Sequence, residues 1–146
     1  MDKWFLFFST FLFFLFTSAG KKPGVEVKNV PVHPRVAFET KYPEVLARWY
    51  KSDTPQGWIA VIKSKPVTHV GFDLGGKWLW ERKKINKSSL SEEIIQGLKT
   101  THPSAKIKEV WRHRDPTFED MFWILIQEKD KQTGILMHPQ GVILTP

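Results

Sequence analysis

Residues 36–43 read VAFETKYP and residues 94–103 read IIQGLKTTHP. In each case a stretch that suits a helix ends at a proline. Proline stops a helix because it disfavours helical geometry in the residue before it. Further along, residues 72–79 read FDLGGKWL and residues 137–144 read MHPQGVIL, and both stretches suit a turn followed by a strand. The chain therefore repeats a helix end and a turn in the same order, which predicts an internal duplication.

Strand patterns follow each predicted helix. Residues 58–62 read WIAVI and residues 121–127 read MFWILIQ, and each run is apolar on both sides of a strand, as in the middle of a sheet. Short connections between strands favour antiparallel pairing. We therefore predict two tandem repeats, residues 31–85 and residues 90–146, each with one helix and about four antiparallel strands. Helices that alternate with runs of strands in this way indicate an α+β fold.

The N-terminus has the parts of a secretory signal peptide. Lys3 gives a positive start, residues 4–16 are an almost continuous run of Phe and Leu, and Ala19 ends a small-residue cleavage motif. The apolar run is shorter than the roughly 20 residues that a membrane span needs. We therefore predict that residues 1–19 are a cleaved signal peptide. Residues 20–146 are then a single periplasmic or secreted domain, with no stable membrane anchor after cleavage.

Composition narrows the kind of partner. The chain has 22 Lys and Arg against 15 Asp and Glu, a net charge of +7, and it has no cysteine. The lack of cysteine excludes disulfides, thiol catalysis and cysteine-ligated metals. A basic balance attracts anionic partners, but the lysines are dispersed and the basic-aromatic motif of a nucleic-acid module is missing. We therefore predict no nucleic-acid partner, and anionic envelope polymers stay an alternative.

The order of these motifs resembles the PepSY-like family of secreted bacterial proteins, which is similar to the β-lactamase inhibitory protein (BLIP). The second repeat departs from the family pattern where a Phe-Asp pair becomes Met-His, and BLIP has disulfides that this chain cannot form. The resemblance rests on a proline at each helix end, on a tryptophan strand and on a glycine turn in each repeat: Tyr42-Pro43, Trp49, residues 72–78, His102-Pro103, Trp111 and residues 137–144.

This resemblance implies an architecture and a class of function. The sheets of the two repeats would join into one curved surface with the helices on one side. BLIP grips its enzyme with the concave side. The resemblance therefore implies a non-enzymatic binding protein with a protein or peptide partner, and inhibition of a secreted peptidase or other hydrolase is the specific form that such binding would take.

Tryptophan identifies the candidate binding surface, because it brings a large rigid contact area and one polar group. Strand alternation in residues 77–83 predicts that Trp78 and Trp80 share one face and that Leu79 takes the other. Core packing is the alternative for any single tryptophan. The partner-binding candidates are Trp58, Trp78, Trp80, Trp111 and Trp123.

We predict no catalytic, cofactor-binding or metal site. The five histidines form neither a metalloprotease helical pair nor a zinc-spaced set. The serine motifs of hydrolases and β-lactamases are also missing. A small hydrolase stays a less favoured alternative, and it would need a cluster of titratable groups in a pocket.

Overall fold

Eight strands and two α-helices make up the described part of the chain. The structure is a computed structural model that describes residues 23–53 and 56–144, so the predicted signal peptide at residues 1–19 lies outside it. The elements in chain order are β1 (Val25–Val27), α1 (Val32–Lys41), β2 (Arg48–Asp53), β3 (Gln56–Ile62), β4 (Thr68–Phe72), β5 (Trp78–Ile85), a 3-10 turn (Lys87–Ser89), α2 (Glu92–Thr101), β6 (Lys106–Arg114), β7 (Met121–Glu128) and β8 (Lys131–Met137).

All eight strands belong to one antiparallel sheet in which each strand pairs with the next in sequence. The pairing continues across the middle of the chain, from Glu81 opposite Arg114 to Ile85 opposite Val110. The prediction of two repeats whose separate sheets join is therefore wrong. Strand β5 pairs with β4 along one edge and with β6 along the other, so it joins the two groups of strands into one sheet. Hydrophobic patterns mark strands, but they do not show that the strands on either side of α2 pair with each other.

Both helices pack on the same face of the sheet, which we call the helix face. Phe38 of α1 packs with Val70 of β4, and Leu98 of α2 packs with Val110 of β6. Side chains on one face alternate along a strand and share that face with their cross-strand partners. Through the β4–β5 and β5–β6 ladders, Val70 and Val110 lie on the same side. The opposite side, on which neither helix of the described residues packs, we call the helix-free face.

The helix ends lie where the prolines predict them. Helices α1 and α2 end at Lys41 and Thr101, two residues before a proline in each case. The next residues, Tyr42 and His102, each donate a backbone N–H bond to the carbonyl four positions earlier, at 2.8 and 2.7 Å. These two helix ends are confirmed, although the division of the sheet is not.

Two glycine turns bring the sheet against the start of each helix. Gly76 and Gly141 have positive φ angles of 88° and 84°, which favour glycine over residues with a Cβ atom. Gly76 packs on the backbone of His33 and Pro34 in α1, and Gly141 packs on the backbone of Glu93 in α2. The turns therefore set the distance between helix and sheet.

We expect Gly76→Ala to destabilise the fold and Gly75→Ala to be tolerated. A Cβ at Gly76 would lie 2.6 Å from the carbonyl carbon of His33, whereas a Cβ at Gly75 would meet only Asp73 Oδ1, at 3.4 Å. The left-handed conformation alone costs a non-glycine residue about 1–2 kcal/mol. Urea unfolding should therefore show a loss of at least that size for Gly76→Ala. Equal midpoints for the two variants would contradict this packing.

Candidate functional site

A bulge in β5 separates the two tryptophans that open this strand. Trp78 pairs with Phe72 and Trp80 pairs with Gly71, so Leu79 is an extra residue between them. An inserted residue reverses the alternation of side chains. Trp78 consequently packs in the cluster under α1, whereas Trp80 packs with the strand residues of the helix-free face. The prediction that Trp78 and Trp80 share a face is therefore wrong.

The five candidate tryptophans divide between the two faces. Trp58 and Trp78 lie on the helix face, and their indole N–H groups are buried with no acceptor among the described residues. Trp80, Trp111 and Trp123 lie on the helix-free face. Trp80 and Trp123 are partly exposed there, while Trp111 is 5% exposed. The structure thus brings three of the five candidates together on the helix-free face, whereas Trp58 and Trp78 are partly buried against the cluster under α1.

Two glycines hold the exposed rings in place. The ring of Trp80 lies over Gly71 of β4, and the ring of Trp123 lies over Gly134 of β8. A Cβ atom at either glycine would clash with the indole above it. Each ring can therefore lie against the sheet only because its neighbour has no side chain.

The guanidinium of Arg82 contacts both exposed rings. Its Cζ atom lies 4.5 Å from the ring centroid of Trp80 and 4.4 Å from that of Trp123. We call these three residues the Trp80–Arg82–Trp123 cluster. Burial lowers the pKa of Arg82 to about 10, so the side chain stays charged at neutral pH. The cluster is therefore a cation held against aromatic faces, an arrangement that the ring quadrupoles stabilise.

A chain of hydrogen bonds orients the Arg82 side chain. Arg82 Nε donates to His113 Nδ1 at 3.1 Å, and His113 Nε2 lies 3.0 Å from Asp115 Oδ2. Because arginine can only donate, His113 Nδ1 is the acceptor and its Nε2–H donates to Asp115. Burial lowers the pKa of His113, in agreement with this neutral form. Backbone N–H groups of Thr117 and Phe118 fix Asp115 in turn, each at 2.8 Å.

A second group of polar contacts surrounds Trp111. The His69 ring lies 4.4 Å from the Trp111 ring, centroid to centroid, and Lys84 Nζ lies 5.4 Å from the Trp111 centroid. Glu109 accepts a hydrogen bond from the Trp111 indole at 3.1 Å and pairs with Lys84 at 3.1 Å. Burial, followed by the charges of Arg82 and Lys84, lowers the pKa of His69 to about 4, against the opposing charge of Glu109. His69 is therefore neutral at pH 7.

Both ring nitrogens of His113 have partners within the chain, Arg82 and Asp115. In residues 23–53 and 56–144, no group of three or more His, Asp and Glu side chains could hold a metal ion. Within the same residues, no helix has the length and apolarity to cross a membrane.

Sequence reasoning did not select Arg82, His113 or Asp115. One signal was available, because Arg82 follows Trp80 by two positions in a strand and must share its face. The contacts with Trp123 and His113 depend on the pairing of β5 with β6 and of β6 with β7. Those registers were not predicted, so the cluster could not be assembled from the sequence.

Comparison with solved structures shows similarity of fold. A DUF2874 family protein from Bacteroides ovatus aligns with a TM-score of 0.63 and 15% identity, over 82% of this chain and 87% of that one. A Bacteroides eggerthii protein described provisionally as periplasmic aligns with a TM-score of 0.62 and 15% identity, over 80% and 87% of the two chains. A BLIP-like protein from Bacteroides fragilis has a TM-score of 0.58 and 15% identity, over 81% and 86%.

The comparisons therefore bear out similarity to a BLIP-like fold. No protein-family model matches this chain, and no curated protein sequence matches it. The PepSY part of the resemblance accordingly stays a prediction.

We expect His69 to make folding sensitive to mild acid. The unfolded side chain titrates near pH 6.5 and the folded one near 4, so the unfolded state binds more protons between these values. Stability is therefore lost as pH falls through that window, by up to about 1.4 kcal/mol per pH unit before screening. Replacing His69 by Phe keeps a ring against Trp111 and removes the titration.

Urea unfolding at about pH 7.5 and about pH 5 measures this effect. The loss of unfolding free energy between the two pH values should be smaller in His69→Phe than in the wild type by about 1 kcal/mol, after discounting for partial solvent screening. His33 is exposed on α1, so His33→Phe is the matched control and should keep the wild-type dependence. An unchanged loss in His69→Phe would contradict the assignment.

Proposed function

We propose that this chain is a non-enzymatic binding protein of the periplasm or the extracellular space, and that it recognises a protein partner with its helix-free face. The observation that carries the proposal is the position of Trp80 and Trp123, partly exposed on a sheet face whose core cluster includes no residue of α1 or α2 among the described residues. Tryptophan and arginine are the residues most enriched at the centres of protein interfaces. The Trp80–Arg82–Trp123 cluster contains both.

The comparisons support this proposal at the level of fold. Of the similar structures, one is described as BLIP-like and another is provisionally described as periplasmic. The predicted signal peptide agrees with a location outside the cytoplasm. Inhibition of a secreted peptidase or other hydrolase is the specific form of binding that we propose.

A second candidate rests on charge. The net charge of +7 favours anionic partners, so an anionic envelope polymer is the alternative to a protein. Binding by dispersed lysines would weaken steeply with salt because it depends on many weak, screened contacts. Binding by the aromatic cluster would depend on two tryptophans and would be less sensitive to salt.

Capture of partners from an envelope extract tests the tryptophan surface. We expect Trp80→Ala/Trp123→Ala to reduce specific capture at least about 30-fold, since a hot-spot residue contributes 2 kcal/mol or more. Val32→Ala/Val36→Ala is the control, because these residues are 59% and 50% exposed on α1. It should capture as the wild type does. Undiminished capture by the tryptophan variant would exclude the helix-free face.

Inhibition needs its own measurement. The protein and both double variants should be assayed against purified secreted peptidases and β-lactamases. Inhibition of one enzyme that is lost with the tryptophans and retained in the control would support the inhibitor proposal. Capture that disappears in all variants at moderate salt would favour the polymer instead.

A further inference from the structure

We propose that Arg82 binds a carboxylate, so that an acidic side chain of the protein partner docks at the Trp80–Arg82–Trp123 cluster. The inference rests on the proposed function and specifies the chemistry of the partner at that surface.

Arg82 has no acidic partner among the described residues, unlike its basic neighbours. The two other cations of β5, Lys83 and Lys84, pair with carboxylates within the chain, and so do Arg112 and Arg114 of β6. Of the five N–H donors of Arg82, only Nε–H has an acceptor among the described residues, on His113. Neither terminal nitrogen is among the fully buried side-chain atoms that lack a partner in this part of the chain, so neither is fully buried. Four donors of a charged group therefore have no acceptor among the described residues.

The guanidinium is also held in place before any ligand arrives. The rings of Trp80 and Trp123 contact it, and His113, fixed by Asp115, accepts its Nε–H. A planar guanidinium matches the two oxygens of a carboxylate through two parallel hydrogen bonds. Because the side chain is already ordered, binding costs little further conformational entropy.

A carboxylate fits this site better than a polyanion. A linear polymer gains affinity by neutralising many cations along its length, but Lys84, which shares this face, is already paired with Glu109. One partly desolvated cation against aromatic rings instead favours one anion on an otherwise apolar contact surface. Such an anion offsets the desolvation of Arg82. The charge of +7 would also attract an acidic partner over longer distances.

A pair of small peptides tests the inference. The probes are acetyl-Gly-Glu-Gly-amide and its glutamine counterpart, followed by tryptophan fluorescence and by NMR of the Arg82 Nε–H group. We expect the glutamate peptide to bind with a Kd of about 1–10 mM, the scale of one bidentate ion pair. The glutamine peptide should bind at least about tenfold more weakly. Equal affinity for the two peptides, or no measurable binding of either, would overturn the proposal.

Substitutions locate the effect. Arg82→Gln should abolish the preference for glutamate, and Arg82→Lys should reduce it because the charge remains and the planar fork is lost. Arg48 is exposed at the start of β2 and pairs with Val61 of the helix-free face. Arg48→Gln is therefore the control for charge alone, and the preference should remain. If Arg48→Gln and Arg82→Gln reduced the preference for the glutamate peptide equally, the attraction would be a general effect of charge, as for a polymer. That result would overturn the proposed carboxylate site.

Folding and the proposed function are tested separately. Circular dichroism and urea unfolding identify any variant that fails to fold. If Arg82→Gln fails to fold, the glutamate preference of Arg82→Lys tests the carboxylate site instead. In the envelope capture, loss of the partner with Trp80→Ala/Trp123→Ala but not with Arg82→Gln would overturn the carboxylate site and leave the binding function standing. Loss with neither variant would overturn both.

Discussion

The pairing of β5 with β6 is the constraint on which the rest of the molecule depends. It runs from Glu81 opposite Arg114 to Ile85 opposite Val110 and joins the strands on either side of α2 into one sheet. The same ladder sets Arg82 opposite His113. Without this register, the aromatic rings contributed by β5 and β7 would have no common cation. The architecture and the candidate site therefore follow from one set of backbone hydrogen bonds.

Local features could be predicted from the sequence and long-range ones could not. The prolines after each helix and the glycine turns act over a few residues, and the structure has them where the sequence indicates. The faces of Trp78 and Trp80 were predicted wrongly because the pairing shift at Leu79 has no marker in the alternation of apolar residues. The two-unit sheet was wrong for a related reason, since pairing across the polar link leaves no local signal. The contacts of Arg82 with Trp123 and His113 depend on the pairing of β5 with β6 and of β6 with β7, so the sequence did not predict them.

The helix-free face combines rigid aromatic area with a single oriented charge. Trp80 and Trp123 rest on glycines, and the hydrogen bonds through His113 to Asp115 hold Arg82. Surfaces of this kind discriminate between partners because a mismatched ligand leaves a desolvated charge without compensation. The net charge of +7 agrees with recognition of an anionic partner. The groups on this face that would contact the partner are the Arg82 cation and the rings of Trp80 and Trp123.

The strand order has a consequence for how the molecule forms. Because each strand pairs with its immediate neighbour in sequence, the sheet can grow by adding one hairpin or one helix-linked strand at a time. Contacts between residues close in sequence are associated with fast folding, since little loop-closure entropy is lost before each contact forms. A chain that emerges gradually during its synthesis could therefore assemble its β2–β5 strands before its C-terminal strands are available.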